Sequence, residues 1–70
     1  MTTYRKYHLT ATGGERTRTH TWESTDPEHA TLDATFIVMD RAFRDPLWAR
    51  GRIELTDDDG TVINVMEAKD

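Results

Sequence analysis

Residues 3–11 and 16–24 are two runs of near-perfect alternation, TYRKYHLTA and RTRTHTWES, separated by TGGE. A period of two is what a pleated strand requires, because successive side chains point to opposite faces. The aromatic and β-branched content suits such a surface. Glycine supplies the positive φ of a tight reversal. The segment predicts a β-hairpin, and any fold of this chain has to accommodate it.

The faces of that hairpin depend on where the turn closes. With Thr12-Gly13-Gly14 as a three-residue loop, Leu9 opposes Thr17 and Tyr7 opposes Thr19. The inner face is then Tyr7, Leu9, Ala11, Thr17, Thr19 and Thr21, and the outer face is Tyr4, Lys6, His8, Arg16, Arg18, His20 and Trp22. With Gly13-Gly14 as a two-residue loop, Leu9 opposes Arg18 and Tyr7 opposes His20, so the arginines join the apolar face. Burying guanidinium groups in a small core costs several kcal/mol per unpaired ion. A buried threonine costs about 1–3 kcal/mol if its hydroxyl is unsatisfied, and it readily finds a backbone carbonyl. The three-residue loop is therefore expected. Against it stands Trp22, which favours a core, and arginine stems snorkel at an edge; a bulge near His20 would turn Trp22 inward alone.

Residues 24–45, STDPEHATLDATFIVMDRAFRD, change period. Asp26 is a good N-cap, Pro27 fits the first helical position and Glu28 suits the positive end of the dipole. Leu32, Phe36, Met39 and Phe43 follow the i, i+4, i+7, i+11 spacing of one helical face and are expected to form its core side. Thr35 and Ala42 flank this stripe and allow close approach, while Ile37 and Val38 lie off it and hint at a second contact. Asp45-Pro46 ends the helix and starts a short turn, in which Leu47 and Trp48 close one end of the core and Gly51 suits an αL cap. Two further alternating segments flank DDDG at 57–60. A three-residue loop Asp58-Asp59-Gly60 places Leu55 opposite Ile63 and Ile53 opposite Val65, an aliphatic face. A two-residue loop would mix Leu55 with Asn64.

The expected fold is α+β: a single ββαββ domain over residues 1–70, with one long helix on one face of a four-stranded, largely antiparallel sheet. The other sheet face is uncovered, and strand order does not follow from pattern. Seventy residues bury only a small core, so a partner that covers the second face is a common remedy.

That uncovered face carries the candidate contact residues Tyr4, Lys6, His8, Arg16, Arg18, His20, Trp22 and, from the second hairpin, Met66, beside Arg52, Glu54, Val62 and Asn64. Aromatic and Met anchors amid arginine are the composition of a protein interface. The expectation is a small non-enzymatic interaction module that binds itself or another protein. The alternative is single-stranded nucleic acid stacked on Trp22 and Tyr4 with Arg16 and Arg18 on phosphates. Charge weighs against it. Arg5, Lys6, Arg16 and Arg18 against Glu15 leave residues 1–22 at +3, but five Lys/Arg against twelve Asp/Glu leave the rest at -7.

Chemistry has little to work with. There is no cysteine, which removes disulfides and thiolate ligands and suits a reducing compartment. No GxSxG, phosphate-binding loop or HExxH occurs, and Ser24 is the lone serine. His8, His20 and His29 lack metal-ligand spacing, and TDDDG has Ala68 where a calcium loop requires Glu. No catalytic residue, metal or cofactor is assigned. Without a membrane-length apolar run or a signal-type N-terminus, the expected location is cytoplasmic.

Overall fold

The computed structural model describes residues 3–67. Strands β1 (Arg5–Gly13) and β2 (Arg16–Ser24) form the first hairpin, followed by helices α1 (Pro27–Ala42) and α2 (Pro46–Arg50) and the hairpin of β3 (Arg52–Asp57) and β4 (Val62–Glu67). The strands form one antiparallel sheet in the order β2-β1-β3-β4. The expected α+β, ββαββ architecture is present. The outer hairpin strands are the edges, and β1 and β3 meet at the centre. The chain leaves β2, passes through α1 and α2, and re-enters beyond β1, so β2 and β3 run parallel with β1 between them.

Local chemistry sets the ends of the helices as anticipated. The Asp26 carboxylate accepts from the His29 backbone N–H at 2.8 Å, and Pro27 opens α1. Asp45 repeats the device for α2, accepting from the Leu47 N–H at 3.0 Å. Gly51 ends α2, but not as an αL cap: its φ of -79° is open to any residue. Glycine is needed there for space. A Cβ at this position would lie 2.6 Å from the Leu47 carbonyl oxygen and 2.8 Å from that of Thr12.

The first hairpin closes on neither of the two loops weighed above, and β2 is displaced by three positions from the expected register. Gly13 pairs with Arg16, so the turn is Gly14-Glu15. Gly14 takes φ +61° and no non-glycine among the described residues has positive φ, the pattern of a type II′ turn with glycine first. Tyr7 now opposes Trp22, Leu9 opposes His20 and Ala11 opposes Arg18. The threonine-inward register is thus overturned: Arg16, Arg18, His20 and Trp22 share the face of Tyr7, Leu9 and Ala11. The feared burial of guanidinium groups does not occur. β2 is an edge strand, and both arginines stay exposed near the hairpin tip, with Arg18 Nε 3.6 Å from the Asp45 carboxylate. Trp22, further from the tip, packs against the core.

In the second hairpin the Asp58-Asp59-Gly60 loop forms as expected, with Gly60 at φ +85° and Asp57 Oδ1 accepting from the N–H groups of Asp59 and Thr61. Thr56 pairs with Val62 beside the turn, but the register then shifts by one. Leu55 meets Asn64 and Ile53 meets Met66. The bulge lets Ile63 and Met66 both pack against the core and sends Val65 outward, where Val65 had been expected inside and Met66 outside.

The core is built from Tyr7, Leu9 and Ala11 of β1, Ile53 and Leu55 of β3, Ala30 and Ala34 of α1, and Leu47 and Trp48 of α2. Ile37, Val38 and Ala42 of α1 pack against it partly buried. The expected core stripe of α1 therefore faces away from the sheet. The helix docks through alanine, and Leu32, Phe36, Met39 and Phe43 stand in solvent.

This inversion has a direct check. Ala34→Leu inserts bulk between α1 and the sheet and should lower unfolding free energy in urea by about 1–3 kcal/mol, the range for overpacking. A neutral or stabilising result would mean that Ala34 does not face the sheet.

Candidate interaction surface

Two surfaces compete for a functional role. The first is the sheet face away from α1. Cross-strand rows there read Thr17–Thr12–Arg52–Glu67, Thr19–Thr10–Glu54–Val65 and Thr21–His8–Thr56–Val62. Its charges are largely matched within the face. Arg52 meets Glu54 at 2.6 Å and Glu67 at 3.1 Å. His8 joins Thr21 Oγ1 at 2.9 Å and Asp58 Oδ1 at 3.4 Å. Hydroxyls, paired ions and two partly exposed valines make a face that water satisfies well.

Of the eight sequence-predicted contact residues, only Lys6 and His8 lie in strands on this face; Tyr4 precedes β1 and is exposed. Arg16, Arg18, His20, Trp22 and Met66 are on the opposite, helix-bearing face, so the eight do not form one patch. A change of register by an odd number of residues, here three, reverses every side chain of a strand, which is why the whole set moved together.

On the helix-bearing face these residues hold α1 in place. Asp33 Oδ2 accepts from Trp22 Nε1 at 3.3 Å and from the buried Ser24 hydroxyl at 3.0 Å. The Trp22 ring lies 6.3 Å from that of Tyr7 and stacks on His20 with centroids 6.0 Å apart. Arg41 Nη2 donates to His20 Nδ1 at 2.9 Å. Partial burial, then the Arg41 charge, push the His20 pKa below its ordinary value. At the start of α1 the opposite holds. His29 is bonded to the Asp26 carboxylate, which raises the histidine, while the His29 backbone N–H first and its ring second lower the aspartate.

A cleft of about 840 Å³ lies where the start of β1, the end of β2 and the β3–β4 loop converge, lined by Arg5, Lys6, Glu23, Asp26, Asp57 and Asp58 among others. Several of its carboxylates already have structural tasks: Asp26 caps α1, Asp57 braces the loop, and Asp58 meets His8. Among the described residues no group of three His, Cys, Asp or Glu is placed to hold a metal ion. His8 and His20, expected on one face, are on opposite faces.

The second surface is the outer side of α1. Leu32 is 57% exposed, Phe36 71%, Met39 57% and Phe43 89%. A shallow apolar hollow lies between Met39, Ala42 and Phe43. Isolated exposed apolar residues are ordinary, but three large ones along α1 and a fourth, Phe43, at its C-cap form a patch of the kind that marks an interaction site. Reading these four as core missed it. The signal was present in Ala30, Ala34, Ile37 and Val38, which form a second stripe of helical spacing on the other side.

No protein-family model matches the chain, and no curated protein or solved structure is significantly similar to it. Among the described residues no helix is long and apolar enough to cross a membrane.

The two histidines separate in a proton NMR titration. His20 should titrate below 6.5, its ordinary value, and His29 above it. The His20 contribution to stability is complete above that ordinary value and is lost as pH falls through the depressed one; the His29 contribution is complete below it and is lost as pH rises through the raised one. Arg41→Ala should move the His20 midpoint upward. A wild-type His20 midpoint at or above 6.5 would contradict the contacts described.

Proposed function

We propose that this chain is a small, non-enzymatic protein-interaction module whose contact surface is the outer face of α1. The observation that carries the reading is the contrast within one helix. Alanines fill its core side, while Leu32, Phe36, Met39 and Phe43 stand in solvent. Exposing two phenylalanines on so small a domain favours aggregation unless something covers them, and their burial is the driving force available for association. The sheet face expected to serve this role is a threonine-rich surface with internally paired charges, which offers little apolar area to a partner.

The nucleic-acid alternative loses its platform. It needed Trp22, Arg16 and Arg18 on the open sheet beside Tyr4, and those three side chains belong to the face that carries α1, with Trp22 packed between Tyr7, His20 and Asp33. A reducing compartment, the cytoplasm, suits a chain without cysteine.

Photo-crosslinking in the cell tests the reading. A benzoylphenylalanine at position 36 should give a discrete protein adduct, whether with a second copy or with another protein, and the same group at Thr19 should give none. Adducts from position 19 but not 36, or from neither, would remove the assignment.

A further inference from the structure

We infer that the face of α1 is covered by a second copy of this chain, through an antiparallel pair of α1 helices about a two-fold axis. The inference rests on the reading of that face as the contact surface and names its occupant. Three observations lead to it.

The first is spacing. Residues 32, 36, 39 and 43 are separated by four, three and four positions, a strict heptad seam. A helix that packs on its own sheet needs a broader apolar stripe, whereas this narrow one is the pattern of helix-on-helix pairing. The other side of α1, through Ala30, Ala34, Ile37 and Val38, already serves the sheet.

The second is symmetry. A two-fold interface is made from one patch that must complement itself. The four-three-four spacing reads the same in both directions, so reversing the helix superimposes the seam on itself. Leu32 then meets Phe43 of the second copy, and Phe36 meets its Met39. Each layer pairs a phenylalanine with a smaller aliphatic or thioether side chain, and the helix dipoles run in opposite directions. Thr35 and Ala42 line one flank, and both are small enough for the backbones to approach.

The third is area. Scaling side chains of roughly 150–250 Å² by their exposures leaves on the order of 500 Å² of apolar surface per copy. That is about a tenth of the 5258 Å² chain surface, and two copies together reach about 1,000 Å², the lower bound of a specific interface. The match is to a small reversible dimer. The other flank brings Asp40 toward Asp33 of the second copy, and each chain carries a net charge of -4. Screening weakens that repulsion, so the dimer tightens as salt is added.

Sedimentation equilibrium on the 70-residue chain tests this. The expected mass rises with concentration toward twice 8.1 kDa, and the association constant increases with salt. Phe36→Glu should weaken association at least about thirtyfold, as loss of a central anchor does, with circular dichroism unchanged. Met39→Lys serves the same purpose should Phe36→Glu fail to fold, and Thr19→Glu on the open sheet should leave the dimer intact. Because the chain has no cysteine, Thr35→Cys and Ala42→Cys chains can be mixed and oxidised, and the 35–42 cross-link should exceed both self-cross-links.

A folded chain that stays at 8.1 kDa up to millimolar concentration overturns the inference. In that case a crosslinked foreign protein at position 36 still preserves the interaction reading, so the two fail separately. A dimer that survives Phe36→Glu, or one lost with Thr19→Glu, places the interface elsewhere. An excess of self-cross-links overturns the antiparallel arrangement.

Discussion

The point at which the first hairpin closes governs how the rest of the molecule packs. Gly14 is the residue that adopts positive φ there, and Glu15 completes a two-residue turn. That choice sets Trp22 opposite Tyr7 and turns it toward α1 rather than away. Its indole N–H, together with the Ser24 hydroxyl, reaches Asp33 on the helix, so the strand end and the helix are joined by two hydrogen bonds to one carboxylate. Hydrogen bonds to a charged acceptor are among the stronger polar contacts, and here they fix the rotation of α1 about its axis.

Rotation is the quantity that gives α1 its two characters. With Asp33 turned to β2, Ala30 and Ala34 fall between the helix and the central strands, and their small side chains let the backbones come close. The larger residues, on the other side of the helix, have nowhere to go but out. The small core thus rests on Tyr7, Leu9 and Leu55, each essentially buried, with Trp48 and Leu47 closing the end near Gly13 and Gly51. The exposed apolar face and the core are two sides of the same packing solution, because burying the phenylalanines inside would leave no room for the alanine contact.

Much of the fold was legible in the chain. Asp26-Pro27 and Asp45-Pro46 announced both helix starts, and DDDG announced the second turn with its glycine at positive φ. Leu47 and Trp48, just after Asp45-Pro46, close one end of the core as their apolar character implies. The exposed apolar face of α1 was not legible in the same way. A stripe of Leu, Phe, Met and Phe at helical spacing is core in most helices, and four letters do not say which of two apolar sides meets the sheet. Pattern placed Thr17, Thr19 and Thr21 inside on the ground that arginine is costly to bury, but at the tip of an edge strand arginine faces the core side without being buried.

By itself, then, the sequence determined the elements: which residues alternate, which keep a helical period, and which cap or turn. Those are properties of the backbone and its immediate neighbours, expressed within a few residues. Tertiary structure decided which side of each element is inside. An odd shift of register in β2, or a bulge at Ile63, exchanges inner for outer at almost no local cost. Only the joint packing of strand, helix and partner strand distinguishes the alternatives, because the energy that separates them is the burial of Tyr7, Trp22 and Ala34 together.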